Sequence, residues 1–508
     1  MNQNMSPLVI FPFALFLFIF LFKKHKTTSN NPTLPPGPKG LPFIGNLHQL
    51  DSSNLGVNFY ELSKQYGSLI YLKLGSRPTL VVSSAKMAKQ VMKTHDIEFC
   101  NRPALISHMK LSYNGLDQFF APYREYWRHT KKLSFIQFLS VKRVTMYSSV
   151  RKYEVTQLMK KISEQYVPSN KPVNLHDLLT CLTSAIVCRT AFGRRFEEEG
   201  TERSMFHDLL REAQEMTISF FYTDYLPFLG GIVDKFTGLM GRLEKTCKFL
   251  DGFFQSIVDE HLDPERKKLP PHEEDVIDAL IDLKNDPYCS MDLKSEHIKP
   301  LIMNMLLAGT DTIAAAVVWT MTALMKNPRV MKKVQEEIRK VFGAKGFIEE
   351  EDTQKLPYFK AVIKETMRLY PALPILLPRE TMKECEIEGY IIPDKTLVFV
   401  NAWAIHRDPE AWKDPEEFYP ERFIGSDIDF KGQDFELIPF GSGRRVCPGL
   451  NMGVATVDLL LANLLYMFDW EMPEGVKRED IDLDGLPGLV QHKKNPLCLV
   501  AKTRIACA

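Results

Sequence analysis

Apolar residues recur with a helical period of about 3.6 positions along most of this chain. The spacing predicts helices over 85–94, 122–135, 174–192, 206–220, 234–261, 297–325, 330–342 and 358–370, and another from about 450 to 465. Short apolar and β-branched runs predict strands at 69–74, 79–83 and 396–401, with more near the C-terminus. The pattern is that of a mainly α protein with small β-sheets. The stretch 297–325 is apolar nearly all round, which predicts a helix buried on every side.

The start of the chain follows a different rule. Positions 8–22 are almost wholly Leu, Ile, Phe, Val and Ala, interrupted only by Pro12, and Lys23-Lys24-His25-Lys26 follow directly. A cleaved signal peptide carries its charge before the apolar run; here it comes after, which predicts an uncleaved single-pass anchor with the rest of the chain in the cytosol. The anchor and its basic flank occupy 1–30. A proline-rich hinge over 31–50 contains Pro35-Pro36-Gly37-Pro38, stiff and unable to continue a helix. It either sets the angle of the remaining domain, 51–508, to the membrane or is a mere spacer. Length alone allows several domains, but no repeat or low-complexity linker divides the chain.

A net charge of +1 points away from nucleic acid as a partner. Nine cysteines, without a C-x-x-C pair, suit a reducing compartment better than a disulfide framework. Eight of them read as ordinary packing. The ninth, Cys447, lies in Pro439-Phe440-Gly441-Ser442-Gly443-Arg444-Arg445-Val446-Cys447-Pro448-Gly449, just ahead of a predicted helix. Glycines there permit a strained path, and an arginine two residues away can pair with an anion. Proline after the sulfur suits a first helical turn, whose dipole favours a thiolate. Such a loop could serve a haem iron.

Two further groups stand out. Ala308-Gly309-Thr310-Asp311-Thr312 places an acid and a hydroxyl inside the apolar helix, which is costly without partners or a task. The plain alternative is a threonine bonded back to its own helix carbonyl. Glu365 and Arg368, three apart on a helix, could form a routine surface pair. Gly441-x-Gly443 lacks the strand and acidic residue of a dinucleotide site, and His406 and His492 read as hydrogen-bonded or exposed rather than ligating.

The loop resembles the haem-binding signature of the cytochromes P450, Phe-x-x-Gly-x-Arg-x-Cys-x-Gly, carried by Phe440, Gly443, Arg445, Cys447 and Gly449. The resemblance implies the cytochrome P450 fold, one prism-like haem domain, and haem b with Cys447 as its axial metal ligand. By the same resemblance Asp311 and Thr312 are catalytic, delivering protons during dioxygen activation, with Gly309 leaving room for dioxygen and Ala308 facing the haem. Glu365 and Arg368 become a structural pair locked to Arg422. Trp127-Arg128-His129-Thr130-Lys131 resembles the propionate-binding Trp-x-x-x-Arg, with Lys131 in the arginine's place; Arg379 is a further propionate candidate. Arg128, Lys132 and Arg444 would face an acidic flavoprotein. The implied protein is an endoplasmic-reticulum monooxygenase, single-pass with a cytosolic catalytic domain. It uses O2 and NADPH-cytochrome P450 reductase on a small hydrophobic or aromatic plant metabolite.

Segments such as 34–46, 309–319, 374–377, 401–404 and 431–437 are similar to plant cytochrome P450 family 83, some of whose members oxidise aldoximes. The pocket is expected near 105–120, 206–221, 301–313, 372–377 and 488–490. A non-oxygenase rearrangement or dehydration, and a haem sensor or membrane scaffold, are the competing classes. The acid–alcohol pair argues against the first, the pocket and basic face against the second.

Overall fold

The computed structural model describes residues 34–51, 53–195, 201–267, 274–285 and 293–504. The expected anchor, the first residues of the hinge, Cys289 and Cys507 lie outside the described residues. Alternation in β1 (Leu69–Leu74) buries one face, β2 (Arg77–Val82) is buried on both faces from Thr79 on, and the two pair antiparallel about a two-residue turn. Gly75 in that turn has φ 60°, and a Cβ there would lie 2.2 Å from the Tyr225 carbonyl oxygen, so only glycine fits.

The remaining strands are β3 (Val173–Asn174), β4 (Arg379–Glu380), β5 (Cys385–Ile387), β6 (Tyr390–Ile392), β7 (Leu397–Val400), β8 (Phe468–Glu471) and β9 (Cys498–Thr503). They complete a mixed sheet β1-β2-β7-β4, a three-stranded sheet β3-β9-β8 and a hairpin β5-β6. The helices that matter for the site are α1 (Glu125–Ser134), α2 (Leu175–Phe192), α3 (Thr201–Ile218), α4 (Gly230–Phe236), α5 (Ser295–Gly309), α6 (Asp311–Lys326), α7 (Pro357–Leu369) and α8 (Leu450–Met467). The expected mainly α architecture with small sheets is what forms.

Two described helical runs, Ser295–Lys326 and Leu450–Met467, are long and apolar enough to cross a membrane. Both are mostly interior, and α6 packs against α2, α7 and α8 in the largest apolar cluster. The predicted helix 297–325 is interrupted at Thr310, between α5 and α6. The predicted helix 234–261 is also two, α4 and Leu239–Leu262. Asp234 is fully buried there and accepts from the Tyr222 and Thr223 backbone N–H groups at 2.9 and 2.8 Å, while Gly238 takes a left-handed φ of 75°.

Helices Leu55–Tyr66, Val276–Asn285 and Ser148–Lys161 are not among those expected, and the last has almost no periodic signal. Its core side carries Arg151 and Glu154, paired with Glu350 at 2.6 Å and with Arg189 and Arg195 at 2.8 and 2.6 Å. Charges on the inward face erase the apolar stripe.

Candidate active site

A cavity of about 310 Å³ separates α5 and α6 from the 439–453 loop and the start of α8. Ala308 and Thr312, four apart on one helical face, line one wall; Phe440, Cys447 and Gly449 line the other, and Trp127, Lys131, Arg379 and Arg445 form a rim. Gly443 sits behind the loop. Its φ is 72°, and a Cβ would fall 2.3 Å from the Met92 carbonyl oxygen, so the loop can approach that backbone only through glycine. The five segments expected to form the pocket all reach it, joined by Ile186, Val187 and Thr190 of α2.

Cys447 donates its backbone N–H to Phe440 O at 2.8 Å, which aims the side chain into the cavity rather than to solvent. The helix begins at Leu450, so Pro448 precedes it and Gly449 is its cap. Burial pushes the Cys447 thiol up to about 11 against a single backbone N–H from Gly449. A coordinated metal cation would reverse this, since it deprotonates a thiol outright.

The rim tests whether a dianionic porphyrin fits. Arg102, Lys131, Arg379 and Arg445 all line the cavity, yet among the described residues only Arg379 has a carboxylate, Asp96 at 3.3 Å. Arg445 reaches the carbonyls of Cys100 at 2.9 Å and Ala121 at 2.7 Å, and its guanidinium lies 4.1 Å over the Trp127 ring. Arg102 donates to Phe119 O, Leu377 O and Pro378 O. Burial lowers the pKa of Arg102, Lys131 and Arg445. Arginine stays charged in proteins, so the cost appears as an unmet demand for anions. Two propionates supply that charge, and the residues fit haem.

Arg102 escaped the sequence reading: a lone Arg-Pro between elements carries no periodic signal. The Trp127 indole N–H donates to Gln118 O at 3.0 Å, and its ring supports Arg445. Lys131 donates to Arg444 O. Arg444 itself pairs with Asp96 at 2.9 Å and reaches Tyr123 Oη at 3.1 Å, so part of the charge expected on the outer face is used internally.

The acid and the alcohol look in different directions. Thr312 Oγ1 faces the cavity and also donates back to Ala308 O at 2.6 Å, the plain alternative weighed from sequence. Asp311 is not on the cavity wall; its Oδ2 lies 3.5 Å from His492 Nε2. Burial pushes its carboxyl up, but hydrogen bonds from His492 and Gln214 outweigh that and hold it below the ordinary carboxylate value. Gly309 lines the cavity, and a Cβ there would meet Val187 Cγ2 at 2.8 Å, so α2 approaches it closely.

Glu365 and Arg368 are both fully buried and make a bidentate pair, 2.7 and 2.9 Å, which Arg422 joins at 3.0 Å. This is a core lock, not a surface bridge. Arg368 donates to His406 O at 2.7 Å, and His406 Nε2 accepts from Ile438 N at 2.9 Å, just before the cysteine loop. Burial takes the His406 pKa down to about 3, so the ring is neutral and able to accept.

Residues 35–500 match the family model Cytochrome P450. The chain is 47% identical to 6,7,8-trihydroxycoumarin synthase of Pastinaca sativa, over 98% of this chain and 99% of that one. It is 47% identical to cytochrome P450 71B34 of Arabidopsis thaliana, over 96% and 97%. To strychnine-11-hydroxylase of Strychnos nux-vomica it is 43% identical, over 99% and 98%. A zebra fish cytochrome P450 structure with progesterone superposes with a TM-score of 0.74 at 25% identity, covering 88% of this chain and 99% of that one.

The narrower resemblance to family 83 is corrected by these relatives, which include a plant 71B member. Some of the residues that carried it hold the fold together: Asn401, for example, caps Ala404 N and donates to Gly56 O. A requirement of the fold cannot separate one family from another within it. A haem-sized cavity with a buried thiol on one wall, an alcohol opposite, and bases wanting anions at the rim agrees with the match across nearly the whole chain: the protein belongs to the cytochrome P450 family, and so to the haem-thiolate monooxygenases.

Proposed function

We propose that this plant-type P450 oxidises a small, mainly apolar aromatic specialised metabolite, with Cys447 as the iron ligand and electrons drawn from NADPH-cytochrome P450 reductase. The observation that carries the reading is the cavity itself, apolar throughout except at a few points and bounded by Thr312 and Cys447. Arg102, Lys131, Arg379 and Arg445 would hold the propionates, and Phe440 packs beside the sulfur. Bound haem supplies dioxygen binding and O–O cleavage, promoted by thiolate electron density.

The chain's own residues do the rest. Phe119, Phe120, Phe138, Leu301 and Leu489 present apolar surface that excludes water and receives an aromatic ring. Asn304 is spent internally, on Gln118 N and Asp117. The Thr190 hydroxyl is buried without a partner in the cavity wall, and with Gln214 it offers a polar point that would orient one oxygen or nitrogen of the substrate. Thr312 and Asp311 hold and move protons on the other side. Relatives named for a trihydroxycoumarin product and for strychnine support a fused-ring substrate; the aldoxime suggestion rested on family 83 and goes with it.

Two surfaces support the setting. Helix α1 turns Trp127 and Lys131 inward and Arg128 and Lys132 to solvent on the sulfur side, suiting an acidic flavoprotein. At the end where the described chain begins, Leu41, Phe43, Phe228, Leu229, Ile232 and Phe236 are exposed, the last 88% so. They form one apolar surface because Gly75 N donates to Ile44 O and Ser76 N to Tyr225 O, at 3.0 and 2.8 Å. Such a surface beside an N-terminal anchor supports residence on the endoplasmic-reticulum membrane with a cytosolic domain 51–508.

The test is turnover by microsomes containing this chain and the reductase, with NADPH and oxygen-18 gas, against coumarins, alkaloids, phenylpropanoids and terpenoids. Label in a product of a fused-ring aromatic substrate is expected. Turnover confined to open-chain terpenoids, or product without label, would overturn the reading.

A further inference from the structure

Asp311 turns its carboxylate away from the cavity, and what it meets there is a pair of histidines. His492 Nε2 stands 3.5 Å from Asp311 Oδ2, and the His176 ring meets the His492 ring edge to face, centroids 5.2 Å apart at 86°. The three residues come from α6, the loop before β9 and the first turn of α2. On the cavity side, Gln214 of α3 both lines the wall and hydrogen-bonds Asp311. His492 Nδ1 is buried without a partner. The ring is held by its backbone: His492 N donates to Val490 O at 3.1 Å, its O accepts from Leu486 N at 2.7 Å, and the preceding carbonyl accepts from Trp319 Nε1 at 2.7 Å.

The other charges nearby are spoken for. Lys493 pairs with Asp482 at 2.6 Å, Lys494 lies 3.9 Å from Asp484, and Glu215 of α3 pairs with Arg242. Asp177 follows His176 at the exposed start of α2. His492 and His176 are the bases that act on Asp311. Splitting dioxygen consumes two protons with two electrons, one oxygen leaving as water, and an anionic carboxylate off the cavity wall has no proton of its own to give. It must be resupplied, and imidazole is the side chain whose ordinary pKa, about 6.5, suits resupply near neutrality.

We propose that His492, backed by His176, is the proton-supply residue for Asp311, linking the cavity wall to solvent. The proton passes from His492 Nε2 to Asp311 Oδ2. The neutral imidazole is then reprotonated from solvent, to which the His492 side chain is 20% exposed, and the electrons come from the reductase as in the family's reaction. His492 touches neither substrate nor haem; it is a positioning and relay residue. The proposal rests on Asp311 being the proton donor of the site.

The full chain in microsomes with reductase tests it through H492Q, H492F, H176Q and D311N. The readouts are product formed per NADPH, peroxide released, the pH profile, substrate Kd by spectral shift, and the reduced carbon monoxide band. H492Q should keep the band and Kd while product per NADPH falls about tenfold, less than the about 10²–10⁴ of a group that transfers the proton directly, because His492 acts through Asp311. Peroxide should rise. The slope of coupling against pH should differ between wild type and H492Q, because only the wild type carries an imidazole at this point. H176Q should fall between the two. If H492F loses haem, H492Q and H176Q decide alone. Wild-type coupling and slope in H492Q, with both lost in D311N, would overturn the relay; an unaffected D311N would instead overturn the role of Asp311 itself.

Discussion

Gly309 offers a test of what the glycine beside the acid–alcohol pair is for. In G309A the new Cβ would lie 2.8 Å from Val187 Cγ2, against about 3.5–4.0 Å for an ordinary carbon contact, so the Val187 methyl must retreat by roughly 0.7 Å or more. Val187 is 6% exposed and packed in the cluster between α2 and α5, and overpacking there costs about 1–3 kcal/mol. Alanine's advantage over glycine in a helix offsets about 0.5–1 kcal/mol of that. The net of about 1–2 kcal/mol corresponds to a 5- to 30-fold change in a rate or equilibrium. Because a membrane-bound haem protein of this size unfolds irreversibly, the assay is the rate of loss of the reduced carbon monoxide band at fixed temperature. V187A alone removes two buried carbons and costs about 1.6 kcal/mol or more. In G309A/V187A each change fills what the other empties, so the pair should be more stable than the sum by about 1–2 kcal/mol, with product per NADPH restored. Strict additivity, or a double variant that holds haem but remains uncoupled, would refute the argument and return Gly309 to the role of making room for dioxygen.

The buried lock gives a larger effect. E365Q leaves Arg368 and Arg422 without their shared anion and should destabilise by about 3–5 kcal/mol, read as rapid conversion of the carbon monoxide band at temperatures the wild type tolerates. R445L should lower the haem content of purified protein, measured as haem per polypeptide, with R445K intermediate because lysine keeps charge but not the fork. R128E/K132E should raise the reductase concentration needed for half-maximal turnover several-fold at low salt. The difference should shrink as ionic strength approaches about 0.15 M, where the screening length is ~8 Å. An unchanged requirement would mean that the flavoprotein docks elsewhere.

Much of this was legible along the chain wherever the interaction is local. The spacing of Phe440, Gly443, Arg445, Cys447 and Gly449 is a contiguous loop, and Ala308 and Thr312 share a face by helical period alone, so both walls of the cavity could be named in advance. What was not legible depends on segments distant in sequence. Arg102 reaches the rim from 345 residues before Cys447, and His492 meets Asp311 across 181 positions; neither leaves a mark on its own neighbourhood. Glu365 and Arg368 were visible as a pair, but their complete burial was not, and burial is what makes the pair matter. The similarity to family 83 failed for the converse reason, since some of the residues that carried it, such as Asn401, hold the fold together.

The sequence by itself therefore determined the secondary elements with clean periodicity, the glycine-permitted path of the cysteine loop, and which sulfur and which alcohol face each other across the cavity. These rest on contacts a few residues long. Only the tertiary structure decided the surroundings and orientations: basic side chains at the rim wanting anions, an acid turned outward to two histidines, a glycine held by a helix more than a hundred residues away. The reason is physical. Backbone preference is set by near neighbours, whereas desolvation and electrostatic pairing depend on what the whole fold brings within a few ångströms.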